Sequence, residues 1–158
     1  VSTVEGAIQI AMEETKKTIH NSKILILGFG RIVKILAKNL KELGAEVTCE
    51  ARKSSDIAWI KAYNYNPLEL EKLDENIENY EIIFNTVPSL ILDRNRIKKI
   101  KKDSLIIDLA SAPGGVNIDE CNNSGIKCIW ARGLPGKVAP VTSAENIKNV
   151  IYRIIEKE

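Results

Sequence analysis

The chain has 158 residues, 44% of them hydrophobic and 28% charged, with a formal net charge of +2. That describes one ordinary globular domain, long enough to bury about 70% of its unfolded surface, and gives no footing for a nucleic-acid partner. Cys49, Cys121 and Cys128 are odd in number and lack C-x-x-C spacing, which argues against a disulfide framework or a metal site and suits a reduced, cytoplasmic setting; no apolar run is long enough for a membrane span.

From the N-terminus, Thr3 to Thr18 places Val4, Ala7, Ile8, Ala11, Met12 and Thr15 at helical spacing, so residues 1–20 read as a leading helix. It begins without a preceding turn, and the chain is therefore expected to be a fragment that a further domain precedes. His20 is the only histidine. It falls before the first strand, at the end of a sheet away from any ligand crevice, where a capping or surface role outweighs a catalytic one.

Lys23 to Leu27 is a short, β-branched apolar run of strand length, followed by Gly28-Phe29-Gly30-Arg31. Ile32 to Leu43 then repeats apolar residues at helical spacing, Gly44 stops that helix, and Ala45 to Ala51 reads as a second strand. Strand, glycine turn, helix and parallel strand within about 30 residues make a βαβ unit of dinucleotide-binding type. Gly28 permits the tight turn, and Gly30 lets the backbone approach a pyrophosphate that a Cβ would push away. The helix N–H groups behind Phe29, Arg31 and Ile32 face the anion. The third glycine of the fingerprint falls on Val33, which should hold helix and strand slightly apart.

The position that carries a ribose-binding carboxylate in NAD-preferring folds aligns with Ala51. Arg52, Lys53 and Ser54 follow, with Ser55 beside them. The cluster suits a 2′-phosphate, so NADP is the preferred cofactor and NAD the other. The alternatives stay open: a solvated basic turn, or a one-residue shift that makes Glu50 the acid.

Asp56 to Ala62 reads as a short helix and Tyr63 to Asn66 as a third strand. Pro67 to Tyr80 is an acidic, irregularly helical solvated face. Glu81 to Asn85 is the fourth strand. Asn85-Thr86-Val87-Pro88 at its end either lines the cofactor ribose or is a plain turn. Asp93 to Lys102 reads as a helix with Ile97 and Ile100 inward and its cations in solvent. Ser104 to Asp108 is the fifth strand, with Leu109 to Gly115 as its loop. Asp119 to Ser124 is a helix stopped by Gly125, and Ile126 to Trp130 a sixth strand. Arg132 to Pro140 is a long loop, and Ser143 to Glu156 the last helix. Strands and helices alternate throughout, so residues 1–158 are expected to form a single α/β domain, a doubly wound parallel sheet (Rossmann fold) with six strands ordered 3-2-1-4-5-6.

With these loops assembled, the chain resembles the cofactor domain found in the A subunit of the dipicolinate synthase family. The residues that carry the resemblance are Thr3-Val4-Glu5-Gly6-Ala7-Ile8, Gly28-Phe29-Gly30-Arg31, Ala51-Arg52, Asn85-Thr86-Val87-Pro88, Asp108-Leu109-Ala110-Ser111 with Pro113-Gly114-Gly115, and Gly133-Leu134-Pro135-Gly136-Lys137-Val138-Ala139-Pro140. The last is the most specific. Val33 is the main departure. The family's full-length members carry an N-terminal domain that the resemblance does not cover.

The resemblance implies a sporulation oxidoreductase that oxidises a dihydrodipicolinate to dipicolinate with NAD(P)+. Its implied partner is the flavoprotein-like second subunit of dipicolinate synthase, the B subunit; a homo-oligomer is also compatible with it. The cofactor residues it implies are the glycine turn, Ala51 to Ser54, Asn85 to Pro88, Leu109, Ala110, Pro135, Gly136, Lys137 and Val138. A small dicarboxylate needs cations and donors, for which Arg132, Lys137, Ser111, Gly114 and Gly115 are the candidates. No catalytic base is assigned, although Lys137 is a candidate acid or base. Two rivals remain. A shikimate-dehydrogenase-like NADP enzyme would share Asn-Thr-x-Pro and the arginine after strand two. A non-enzymatic nucleotide-sensing module would share Gly-Phe-Gly-Arg but normally keeps an acid at the end of strand two.

Overall fold

Lys23–Leu27 forms β1, and its run of four apolar residues is fully buried, as the centre of a parallel sheet covered on both faces requires. The computed structural model describes residues 1–131, and the expected loop at 132–140 and helix at 143–156 lie outside that range. β2 (Glu46–Ala51) and β4 (Ile82–Asn85) flank β1, and β5 (Leu105–Asp108) follows β4. β3 (Asn66–Glu69) and β6 (Lys127–Trp130) are the outer strands. Every pairing is parallel and the order is 3-2-1-4-5-6, as the alternation of strands and helices predicts.

Period-two alternation along β1 sorts the core into two layers. Ile24 and Ile26 face α1 (Ser2–Glu14), α2 (Arg31–Glu42) and α3 (Ser54–Ala62), through Val4, Ala7, Val33, Leu36, Leu40 and Ile60. Leu25 and Leu27 face the opposite layer: Leu73 of α4 (Leu73–Asn76), Ile97 of α5 (Arg94–Ile97) and Cys121 of α6 (Ile118–Ser124). Each such fully buried aliphatic chain contributes about 1.5–3 kcal/mol. Val33, at the third fingerprint position, is itself completely buried in the α2 layer.

The third strand differs from expectation. It is Asn66–Glu69, not Tyr63–Asn66, and Pro67 sits inside it opposite Cys49. Proline cannot donate to a ladder, but an outer strand has one free side and tolerates it. Tyr63 caps α3 and Asn64 turns the chain at φ +61°. Between β3 and β4 the acidic stretch winds through two 3-10 turns around α4. α5 is also shorter than the expected Asp93–Lys102, although Ile97 and Ile100 are buried as predicted.

What positions the site is register. Along the carboxyl edge, Glu50, Leu27, Asn85, Asp108 and Trp130 lie side by side in neighbouring strands. Three of the five are polar groups buried to 1% exposure or less, in a row that packing alone would make apolar.

Candidate functional site

The first loop of that edge is the turn Gly28-Phe29-Gly30 between β1 and α2. Gly28 has φ +96°, and a Cβ there would meet Thr86 Oγ1 at 2.5 Å. The glycine is therefore required twice, by backbone conformation and by the close approach of the loop after β4. Thr86 holds that loop down: its N–H and its hydroxyl both donate to the Leu27 carbonyl, at 3.1 and 2.7 Å.

Gly30 is different. A Cβ built on it meets nothing within 4 Å among the described residues, so none of them explains its identity. It is the N-cap of α2, and no side chain caps that helix. Four N–H groups at a helix start need acceptors, and the dipole there favours an anion. A cleft of about 520 Å³ opens over the turn, lined by Gly28, Phe29, Gly30, Arg31, Ile32, Val33, Thr86, Val87 and Pro88. All but Val33 are residues that the sequence assigns to a cofactor, and they come from two loops far apart along the chain. The open side of Gly30, the uncapped helix and the absence of room at Gly28 fit a dinucleotide pyrophosphate.

Ala51, the last residue of β2, is buried, and Arg52, Lys53 and Ser54 beyond it are exposed. Lys53 is the N-cap of α3, again with no side-chain cap, so cations and a helix start coincide there, a combination that suits an anion. Glu50 is 1% exposed and lies beneath the turn: its Oε2 and its main-chain oxygen both accept the Gly28 N–H, at 3.1 and 3.2 Å. Its Oε1 is buried without a hydrogen-bond partner among the described residues. Burial pushes the carboxyl above its ordinary value, against the pull of the Gly28 bond and the Arg52 and Arg96 charges.

At β4 and β5 the edge is a closed polar network. Asn85 Nδ2 donates to Asp108 Oδ1 at 2.9 Å and to the Val87 carbonyl at 3.0 Å, and Asn85 Oδ1 accepts the Val87 N–H. Asp108 Oδ1 also accepts from Ala110 N, and its Oδ2 from Gly115 N at 3.0 Å. Asn85, assigned to the cofactor from the sequence, thus has its whole amide engaged by the protein and shapes the loop that lines the cleft.

The N–H groups of Gly114 and Gly115, expected as donors to a substrate, are taken by the Ser111 carbonyl and by Asp108. Their identity follows from space instead. Gly114 has φ +82°, and a Cβ on it would lie 2.8 Å from Asp108 Oδ2 and against the Trp130 ring. Leu109 is half-buried, Ala110 buried and Ser111 exposed on the same loop. Arg132, Pro135, Gly136, Lys137 and Val138 lie outside the described residues. His20 packs against Gly44 at the amino end of the sheet, far from these loops. Asp108 and the buried state of Glu50 are what sequence reasoning missed; the signal available was an acid closing an otherwise apolar strand, Leu-Ile-Ile-Asp and Val-Thr-Cys-Glu.

Comparison with known proteins agrees with this geometry. Residues 2–119 match the family described as D-isomer specific 2-hydroxyacid dehydrogenase, NAD binding domain. The A subunit of dipicolinate synthase from Bacillus subtilis (strain 168) is 37% identical over 155 residues, 98% of this chain and 52% of that protein. A crystal structure of the dipicolinate synthase A chain from Bacillus subtilis superposes with a TM-score of 0.95, covering 99% of this chain and 52% of that one. Shikimate dehydrogenase (NADP(+)) from Methanococcus maripaludis is 33% identical over 80% of this chain and 50% of its own length. The chain spans about half the length of these relatives.

Proposed function

The chain belongs to the NAD-binding domain family of the D-isomer specific 2-hydroxyacid dehydrogenases, and on that premise we propose that it is the cofactor domain of an oxidoreductase that converts a dihydrodipicolinate to dipicolinate. The observation that carries the proposal is the cleft over Gly28–Gly30, with an uncapped helix start and a glycine whose missing Cβ no atom of the described residues requires. The similarity to the A subunit of dipicolinate synthase over 98% of the chain supports the choice of substrate. The role in sporulation and the second, flavoprotein-like subunit belong to the same reading.

A bound nicotinamide dinucleotide supplies the hydride acceptor. This chain's residues bind and orient it. The N–H groups at the start of α2 hold the pyrophosphate, and the loop pinned by Thr86 closes the cleft from the β4 side. Arg52, Lys53 and the start of α3 meet a 2′-phosphate, which makes NADP the preferred form. The Asp108 network fixes the Leu109–Gly115 loop, from which Ser111 faces solvent as a donor to a substrate carboxylate. The substrate ring loses a hydride to the nicotinamide and a proton to water and becomes aromatic, so the protein's task is mainly to hold ring against ring.

The test is turnover. The full-length protein with its partner subunit, given dihydrodipicolinate, is expected to form dipicolinate with stoichiometric reduction of the nicotinamide, while this chain by itself binds cofactor weakly and turns over nothing. Reduction with shikimate in place of dihydrodipicolinate would favour the second reading, which the likeness to an NADP-dependent shikimate dehydrogenase and the exposed Arg52 support.

A further inference from the structure

A buried carboxylate under an anion site is an unusual thing to build. Glu50 occupies the carboxyl edge of β2, opposite Leu27, with its side chain against the Gly28 N–H and one oxygen unpartnered among the described residues. The charged groups that face it are Arg52 just past β2, Glu71 in the 3-10 turn after β3, and Arg96 of α5; the glycine turn itself contributes only its main-chain N–H. Arg96 is already committed, with Nε on Asp74 Oδ1 at 3.1 Å and Nη1 on the Ile91 carbonyl at 2.8 Å. Among the described residues no cation forms an ion pair with Glu50.

We propose that Glu50 is the positioning residue of the glycine turn and that its charge sets the affinity of the turn for a pyrophosphate, so that binding of the dinucleotide takes up a proton. The proposal rests on the reading of this turn as a cofactor site. Ionised, Glu50 holds Gly28 by a charge-assisted bond but places a negative charge beneath the bound diphosphate. Protonated, the carboxyl loses that repulsion, and the turn keeps its shape because the Glu50 main-chain oxygen still accepts the same N–H. Burial already favours the neutral form, and an anion bound above favours it further. The sign follows: affinity rises as pH falls, and the complex carries more protons than its separated parts. Glu50 also lies close enough to Arg52 for their charges to interact, so its ionised form weakens the attraction of Arg52 for a 2′-phosphate.

The experiment is calorimetric titration of NAD, whose diphosphate does not titrate in this range, between about pH 5 and pH 8 in buffers of differing ionisation enthalpy. Wild-type protein is expected to bind more tightly at the acid end and to take up protons on binding. Glu50→Gln keeps an acceptor for Gly28 without the charge. It should bind roughly threefold to tenfold more tightly than wild type at neutral pH, with a flat profile and no proton uptake. His20→Gln should keep the wild-type profile, since that histidine packs at the opposite end of the sheet. A flat wild-type profile without proton uptake overturns the proposal, as does a Glu50→Gln variant with unchanged affinity and pH dependence. The proton uptake of the wild type needs no variant, so it decides the question even where Glu50→Gln misfolds. Failure of the wild type to bind NAD or NADP at any pH would overturn the cofactor reading itself.

Discussion

The proposed preference for NADP turns on Arg52. Ala51 offers no carboxylate to hold a 2′-hydroxyl or repel a 2′-phosphate, and Arg52 and Lys53 stand exposed at an uncapped helix start. A charge-assisted contact in such a site contributes about 1.5–3 kcal/mol, reduced by salt. Arg52→Ala is therefore expected to narrow the ratio of NADP to NAD affinity by about tenfold or more at low ionic strength, read by fluorescence titration of both cofactors. Equal losses for the two would mean that Arg52 stacks on adenine without reading the phosphate. At this scale the sequence was legible wherever a residue type has one use, as at Gly28. It was not legible at Glu50, because two adjacent positions, Glu50 and Ala51, compete for the end of β2, and only the strand register decides which side chain goes beneath the turn.

Among the elements, the carboxyl ends of β4 and β5 show why an edge must be bound together. Asp108 collects N–H groups from the Asn85 side chain at the end of β4 and from Ala110 and Gly115 in the loop after β5, where the sheet stops satisfying its own backbone. Asp108→Asn turns one acceptor into a donor facing an N–H. The variant should lose about 2–4 kcal/mol of stability in denaturant titration. A change within experimental error would show the network to be dispensable. The elements themselves were mostly legible, because short apolar runs bounded by glycine can only be buried strands in an alternating chain. β3 was misplaced since Pro67 reads as a terminator, and its status as an outer strand, where proline is tolerated, is a fact of the assembled sheet. The N–H groups of Gly114 and Gly115, expected as donors to a substrate, are engaged by Ser111 and Asp108, and the Asp108 contact in particular is a fact of the folded loop.

For the molecule as a whole, the fold and the site are separable in one respect that decides the account. Gly30 contributes nothing to either layer of the core, although Phe29 and Val33, which share its cleft, are buried in the α2 layer. A Cβ at Gly30 would therefore meet no atom of the described residues within 4 Å but would enter the space over the start of α2. The most direct measurement is calorimetric titration of NAD and NADP into the wild type and into Gly30→Val, with thermal unfolding of both followed by circular dichroism. The wild type should bind one dinucleotide, and Gly30→Val should unfold at nearly the same temperature with binding reduced beyond detection. Undiminished affinity in a folded Gly30→Val would contradict the placement of the cofactor on this turn.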